Sequence, residues 1–250
     1  MATDFTIFCA ADEPHLEQLR IVLPTWRENC PELFSRPAVL MCDIRERGIR
    51  WWIRENPAPE WFNVVPNTTK QRVGDSQRAY MLHGFMAAMP AVRTPWALKI
   101  DTDALCLQRC PNWIPTEYLK SDAAIIAPRW GYTTPASFID QLNDWAYRIP
   151  ALNQSDPVTG EREQARGKER IRHPRICSWF GFFSHALCKI TMELIGDGPF
   201  PCPSQDTTHW YVAHCLGLPV VKWKPRGWRV CSSTRTLRRF ATEVLQDAPV

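Results

Sequence analysis

No run of about 18 or more uncharged apolar residues occurs in this chain, which excludes a helical membrane span of ordinary length. The start, Met1-Ala2-Thr3-Asp4, has neither the basic cluster nor the long apolar centre of a secretory leader, so a cytoplasmic protein is expected. Charge of one sign is scarcely in excess. Lys and Arg total 30 against 26 Asp and Glu, a net +4 that argues against general nucleic-acid binding. Ten cysteines are present without one CxxC pair or an HxxxH pair, so free thiols are expected and a zinc site is not, although Cys106 and Cys110 are four apart. There is no internal repeat, no low-complexity tract and no Gly/Ser-rich linker, which leaves one domain over residues 1–250.

What is present suffices for a substantial core, at 45% hydrophobic and 11% aromatic residues. Short buried strands are expected at Phe5–Ala10, Pro37–Cys42 and Trp61–Val65, from Trp96 into Asp101, and at Ala123–Ala127 and Leu218–Trp223. Between them the spacing predicts amphipathic helices. One carries Leu16, Leu19 and Leu23 and is closed by Pro24 and the Trp26 region; one starts at Asp75 and carries Leu82, Phe85, Met86 and Met89. Ser184 should cap a helix with Leu187, Ile190 and Leu194 that ends at Gly196, and Ser204 one that ends at Gly217. Continuous apolar strands alternating with such helices imply an α/β fold with a mostly parallel central sheet flanked by helices. In such sheets ligands bind beyond the carboxyl ends of the strands.

One strand stops abruptly on two acids, Asp101-Thr102-Asp103. If the strand continues through them, alternation puts both carboxylates on one face with Thr102 opposite. Hard cations such as Mn²⁺ or Mg²⁺ take oxygen ligands from one or two carboxylates and complete their shell with substrate phosphates. An acid pair ending a buried strand has no packing role, which sets it apart from the other polar features. The segment 153–175 differs again. Six basic and three acidic side chains lie within 161–175 with almost nothing apolar, so a mobile loop or a solvated helix, in either case a solvated surface insertion, is expected there. Arg226, Arg229, Arg235, Arg238 and Arg239 mark residues 226–250 as a basic, solvated tail. Twelve tryptophans belong mostly to the core; Trp130 and Trp179 stand out because their segments approach the expected crevice.

The order of these features resembles the GT-A type glycosyltransferases of the broad family-two kind: a strand ending in Asp43, Gly74-xxx-Arg78 opening a helix, a strand ending in Asp101-x-Asp103, a Trp/Gly-rich block, and Gln205-Asp206 opening a helix that ends at Gly217. The resemblance covers residues 5–223. It implies a nucleotide-sugar-binding half over residues 1–127, with Asp43, Arg78 and Asp101 at the nucleotide. It also implies an acceptor half over 128–225, bordered by Trp130, Trp179, Gly181, Phe182 and His209. Asp101 and Asp103 would hold Mn²⁺ or Mg²⁺, with Asp103 as the direct ligand, and Asp206 would be the base of an inverting transfer. The implied partners are a nucleoside-diphosphate sugar, UDP-sugar favoured, and a hydroxyl acceptor. Two departures stand beside this. Gln205 replaces the acidic first residue of the late motif, and no histidine follows the last core strand.

The chemistry asks for these groups. Separating a sugar from a diphosphate develops negative charge on the leaving group, which a cation relieves, while a carboxylate can take the acceptor's proton. Two other classes stay open at this point. A non-catalytic nucleotide- or sugar-binding module could keep the fold. A haloacid-dehalogenase-type phosphatase also places aspartates after a strand, but Leu105 stands where its pattern has Thr or Val.

Overall fold

The computed structural model describes residues 4–11, 13–42, 61–66, 88–153, 155–165, 167–176, 179–196, 200–231 and 233–246. The apolar run Phe5–Ala11 forms β1, which pairs in parallel with β2 (Ala38–Cys42) on one side and β4 (Trp96–Ile100) on the other. β3 (Phe62–Pro66) extends the sheet beyond β2, again in parallel. On the opposite flank β10 (Phe180–Ser184) runs antiparallel between β4 and β6 (Ile125–Ala127), and β11 (Val220–Lys222) lies parallel to β6. The sheet order is β11-β6-β10-β4-β1-β2-β3, with β10 alone reversed. The mostly parallel α/β architecture read from the sequence is the observed one.

Alternation along the strands builds two cores, one on each face of the sheet. Phe5, Ile7, Leu98, Ile100, Phe180 and Phe182 pack against Leu16, Leu19, Val22 and Trp26 of α1 (Glu13–Asn29) and Leu237 and Ala241 of α6 (Thr234–Gln246). On the other face Phe8, Val39, Ala97 and Phe183 meet α3 (Ala136–Tyr147), α4 (His185–Ile195) and α5 (Gln205–Cys215). A short helix α2 (Thr116–Leu119) precedes β6. The tryptophans are largely core, as expected: Trp26, Trp113, Trp223 and Trp228 surround Phe180 or one another at ring separations of 4.7–6.4 Å.

Four expectations need correction. First, α1 does not close at Pro24 but runs to Asn29. Pro24 and Arg20 are both exposed, so the carbonyl that loses its helical partner is left to water. Past it, Trp26 is fully buried and donates from Nε1 to Ala104 O at 2.7 Å, an anchor that outweighs the local cost. Second, the charged stretch is no loop. Here β8 (Glu161–Ala165) and β9 (Lys168–Ile176) pair as antiparallel strands, and β9 also pairs with β7 (Arg129–Pro135) in a three-stranded antiparallel sheet. Its charges pair across strands, Arg172 with Glu163 at 2.9 Å and Arg162 with Glu169 at 2.8 Å, while Ile171 and His173 turn inward. Third, the basic C-terminal stretch is structural: β12 (Trp228–Val230) pairs with β5 (Ala104–Cys106), and α6 lies on α1, where Arg238 meets Glu17 at 2.6 Å. Fourth, β4 stops at Ile100, one residue before the acid pair. The helix expected from Asp75 lies outside the described residues except at its end, a 3-10 turn over Met89–Ala91.

Candidate active site

All strands of the sheet but β10 end on the same edge, so the residues just beyond β4 and the residue just before β10 meet on one rim. Asp101 N donates to Trp179 O at 2.8 Å across that rim. The chain then turns, with Ala104 N on Asp101 O at 3.0 Å, and enters β5. The acid pair therefore sits in a tight turn between β4 and β5 and not on a strand; β5 pairs with β12, whose neighbour Cys231 N donates to Asp103 O at 3.0 Å. Thr102 is buried, its hydroxyl donating to Gln18 Oε1 at 3.2 Å, while both carboxylates stay partly exposed.

The two acids are not equivalent. Lys99, two residues earlier on β4, places its Nζ on Asp101 Oδ1. Among the described residues no ammonium sits on Asp103 in this way. Burial first, and the Asp101 charge second, push its carboxyl up to about 6, while its own backbone N–H, His15 and Lys99 pull the other way. Trp179 is buried, and its indole N–H has no acceptor among the described residues.

Asp206 arrives at the same rim by topology. α4 starts at the opposite edge, where His185 N bonds Pro95 O just before β4, and climbs the sheet. α5 returns along it and hands the chain to β11 at that opposite edge, where Ala124 N bonds Pro219 O. The first turn of α5 is thus at the carboxyl edge. There Ser204 does not cap the helix backbone; its hydroxyl donates to Asp206 Oδ1 at 2.6 Å and fixes that carboxylate.

The other sequence-derived residues are distributed differently. Gly181 and Phe182 lie inside the sheet: a Cβ on Gly181 would stand 2.9 Å from Ala127 Cβ, and Phe182 meets the Phe5 ring edge-on at 5.2 Å. His209 is fully buried, its Nδ1 2.9 Å from Gln205 O and its ring on Phe183, and burial lowers its pKa to about 4, so it is neutral near pH 7. It exposes no surface to an acceptor. Trp130 lies on β7, opposite Arg175. Asp43 and Arg78 lie outside the described residues. Lys99, His15 and Gln18 were missed in the sequence; a charged residue at the fourth position of an otherwise apolar strand was the available signal for Lys99.

The protein's donors at the rim are carboxylate oxygens. Among the described residues no three His, Cys, Asp or Glu side chains are grouped to hold a metal. Two carboxylates, one of them burdened by burial and by its neighbour's charge, fit a hard cation that takes its remaining oxygens from a phosphate and water.

No sequence-family model matches the chain, and no curated protein sequence matches it. Solved structures do. A galactosyltransferase, LgtC, in complex with donor and acceptor sugar analogues is similar with a TM-score of 0.51 at 10% identity, over 98% of this chain and 96% of that one. A mannosyltransferase of S. cerevisiae, Ktr4p, gives 0.51 at 10% identity over 86% of this chain and 66% of its own. A 2-C-methyl-D-erythritol 4-phosphate cytidylyltransferase from Thermus thermophilus gives 0.52 at 10% identity, over 97% and 99%. The fold of this chain is therefore the GT-A-type glycosyltransferase fold, shared at this level with a cytidylyltransferase.

Proposed function

We propose that the protein is a glycosyltransferase that moves a sugar from a nucleoside-diphosphate sugar, UDP-sugar favoured, to an acceptor hydroxyl. The observation that carries this reading is the turn holding Asp101 and Asp103 on the carboxyl rim of the sheet, on the edge to which topology also brings Asp206. Asp101 and Asp103 would hold Mn²⁺ or Mg²⁺, whose chemistry here is to neutralise charge developing on the diphosphate. Lys99 keeps the Asp101 carboxylate in place. The indole N–H of Trp179, beside Asp101, has no acceptor among the described residues. Asp206, oriented by Ser204, takes the proton of the acceptor hydroxyl as it attacks from the face of the sugar opposite the diphosphate, which gives inversion. A cytoplasmic location accompanies the proposal.

Thermal melting with UDP, GDP and CDP, with and without Mn²⁺, tests it. A nucleotide at about 100 times its Kd adds about 2.7 kcal/mol, or a rise in Tm of about 5–10 °C for a chain of this size. The expected result is a metal-dependent rise with one nucleoside diphosphate that Asp103→Asn removes. Asp206→Asn should keep the rise and lose transfer. Binding without transfer to any sugar acceptor supports instead a module that only binds nucleotide.

The cytidylyltransferase likeness favours a second reading, nucleotidyl transfer from a nucleoside triphosphate. Against it, the β1–α1 junction Ala10-Ala11-Asp12-Glu13 has no glycine to let backbone N–H groups approach a triphosphate. Pyrophosphate release from CTP or UTP with a sugar phosphate decides for that reading.

A further inference from the structure

Lys99 is a charged residue where the fold would place an apolar one. Its neighbours on β4 are Trp96, Ala97, Leu98 and Ile100, all buried, and Lys99 itself is only 9% exposed. Its cross-strand partners are Phe8 on β1 and Gly181 on β10. Gly181 carries no side chain, and a Cβ there would stand 2.9 Å from Ala127 Cβ, so on this side the lysine stem has a bare glycine as its cross-strand neighbour. The stem ends in an ammonium on Asp101 Oδ1. Burying an ammonium in the centre of a sheet costs stability unless it is paired, and the contact with Asp101 offsets part of that cost.

The consequence concerns what else Asp101 can bind. A divalent cation arriving at Asp101 and Asp103 meets one carboxylate already neutralised and a fixed positive charge beside it. A metal carried with a diphosphate brings its own negative charge and does not face that repulsion. We propose that Lys99 is a positioning residue that makes the acid pair hold a divalent cation only together with a diphosphate, suppressing binding of the bare metal. This rests on the reading that Asp101 and Asp103 are the metal-holding residues. It assigns to Lys99 a role in the order of binding and none in the chemistry of transfer.

The test is Mn²⁺ binding to the full chain, measured by calorimetry without nucleotide and then with saturating UDP or GDP, whichever binds. The ratio of the two Mn²⁺ dissociation constants reads the coupling directly. Replacing Lys99 with Met keeps the stem's length and removes the charge. In Lys99→Met, bare Mn²⁺ should bind tighter by on the order of tenfold, with a much smaller change in the nucleotide complex, so the ratio should fall by about the same factor. Lys99→Arg keeps the charge and should keep the ratio. Melting curves of both variants establish that they fold. An unchanged ratio in a folded Lys99→Met overturns the proposal and leaves the metal reading intact, as does a ratio that falls equally in Lys99→Arg, which would trace the effect to shape. If neither the native protein nor Lys99→Met binds Mn²⁺ with or without nucleotide, the metal reading fails and the proposal with it.

Discussion

Asp103 and His209 carry opposite burial penalties, and the two can be separated by pH. The folded pKa of Asp103 is raised above 3.8 to about 6, so its ionised form costs stability near pH 7, and that cost is relieved as pH falls from about 6 toward 4. In metal-free buffer Asp103→Asn should therefore melt higher than the native protein at pH 7.5, with the gap closing by about pH 4.5; a gap that does not depend on pH would falsify the environment described for this carboxyl. His209 behaves in the reverse sense. Its folded pKa is lowered from 6.5 to about 4, so stability is lost as pH falls through that interval, and His209→Gln should flatten this acid-side loss in melting curves. Gly181 is constrained by space. A side chain there meets Ala127 at 2.9 Å inside the sheet, and Gly181→Val should cost about 1–3 kcal/mol in chemical denaturation. The acid pair was legible in the sequence because carboxylates interrupt an apolar run. The inequality between its members was not, since it depends on where Lys99 Nζ and the β5 turn lie.

Among elements, α1 and the β8–β9 pair show where local rules give way. Pro24 breaks a helix by its own preference, yet α1 continues because the ring faces water and Trp26 is locked onto β5. Trp26→Ala should lose about 3–5 kcal/mol in urea unfolding, whereas Pro24→Ala, restoring a helical hydrogen bond, should gain about 1–3 kcal/mol. If the two changes have similar effects, the anchoring role given to Trp26 is wrong. The strand pair was illegible for a different reason. Its inward residues, Ile171 and His173, are outnumbered by charges that satisfy one another across strands, and such pairing has no signature along the chain.

For the whole molecule, the C-terminal stretch from residue 226 completes the core it was expected to leave. Leu237 and Ala241 cover α1, and Trp228 closes the aromatic cluster around Phe180 at 4.7 Å. A chain ending at residue 225 should expose this surface, bind a hydrophobic dye and lose its cooperative melt; a truncated protein that melts like the native one would show α6 to be dispensable. The same closure holds the site. β12 pairs with β5, and Cys231 N ties down Asp103 O, so the C-terminal segment shapes the acid turn from a distance of more than a hundred residues along the chain.

By itself the sequence determined the α/β class, six of the seven strands of the central sheet and the position of the acid pair, because hydrophobic periodicity and the interruption of an apolar run are local properties. Only the tertiary structure decided that Asp101 is held by a lysine, that Asp206 comes to the same rim, that His209 is buried, and that the basic segments are a strand pair and a packed helix. Lys99 and Asp101 are near neighbours in sequence, but the burial that directs the lysine onto that carboxylate, like the other three outcomes, is set by packing between residues far apart in the chain, which no local window contains.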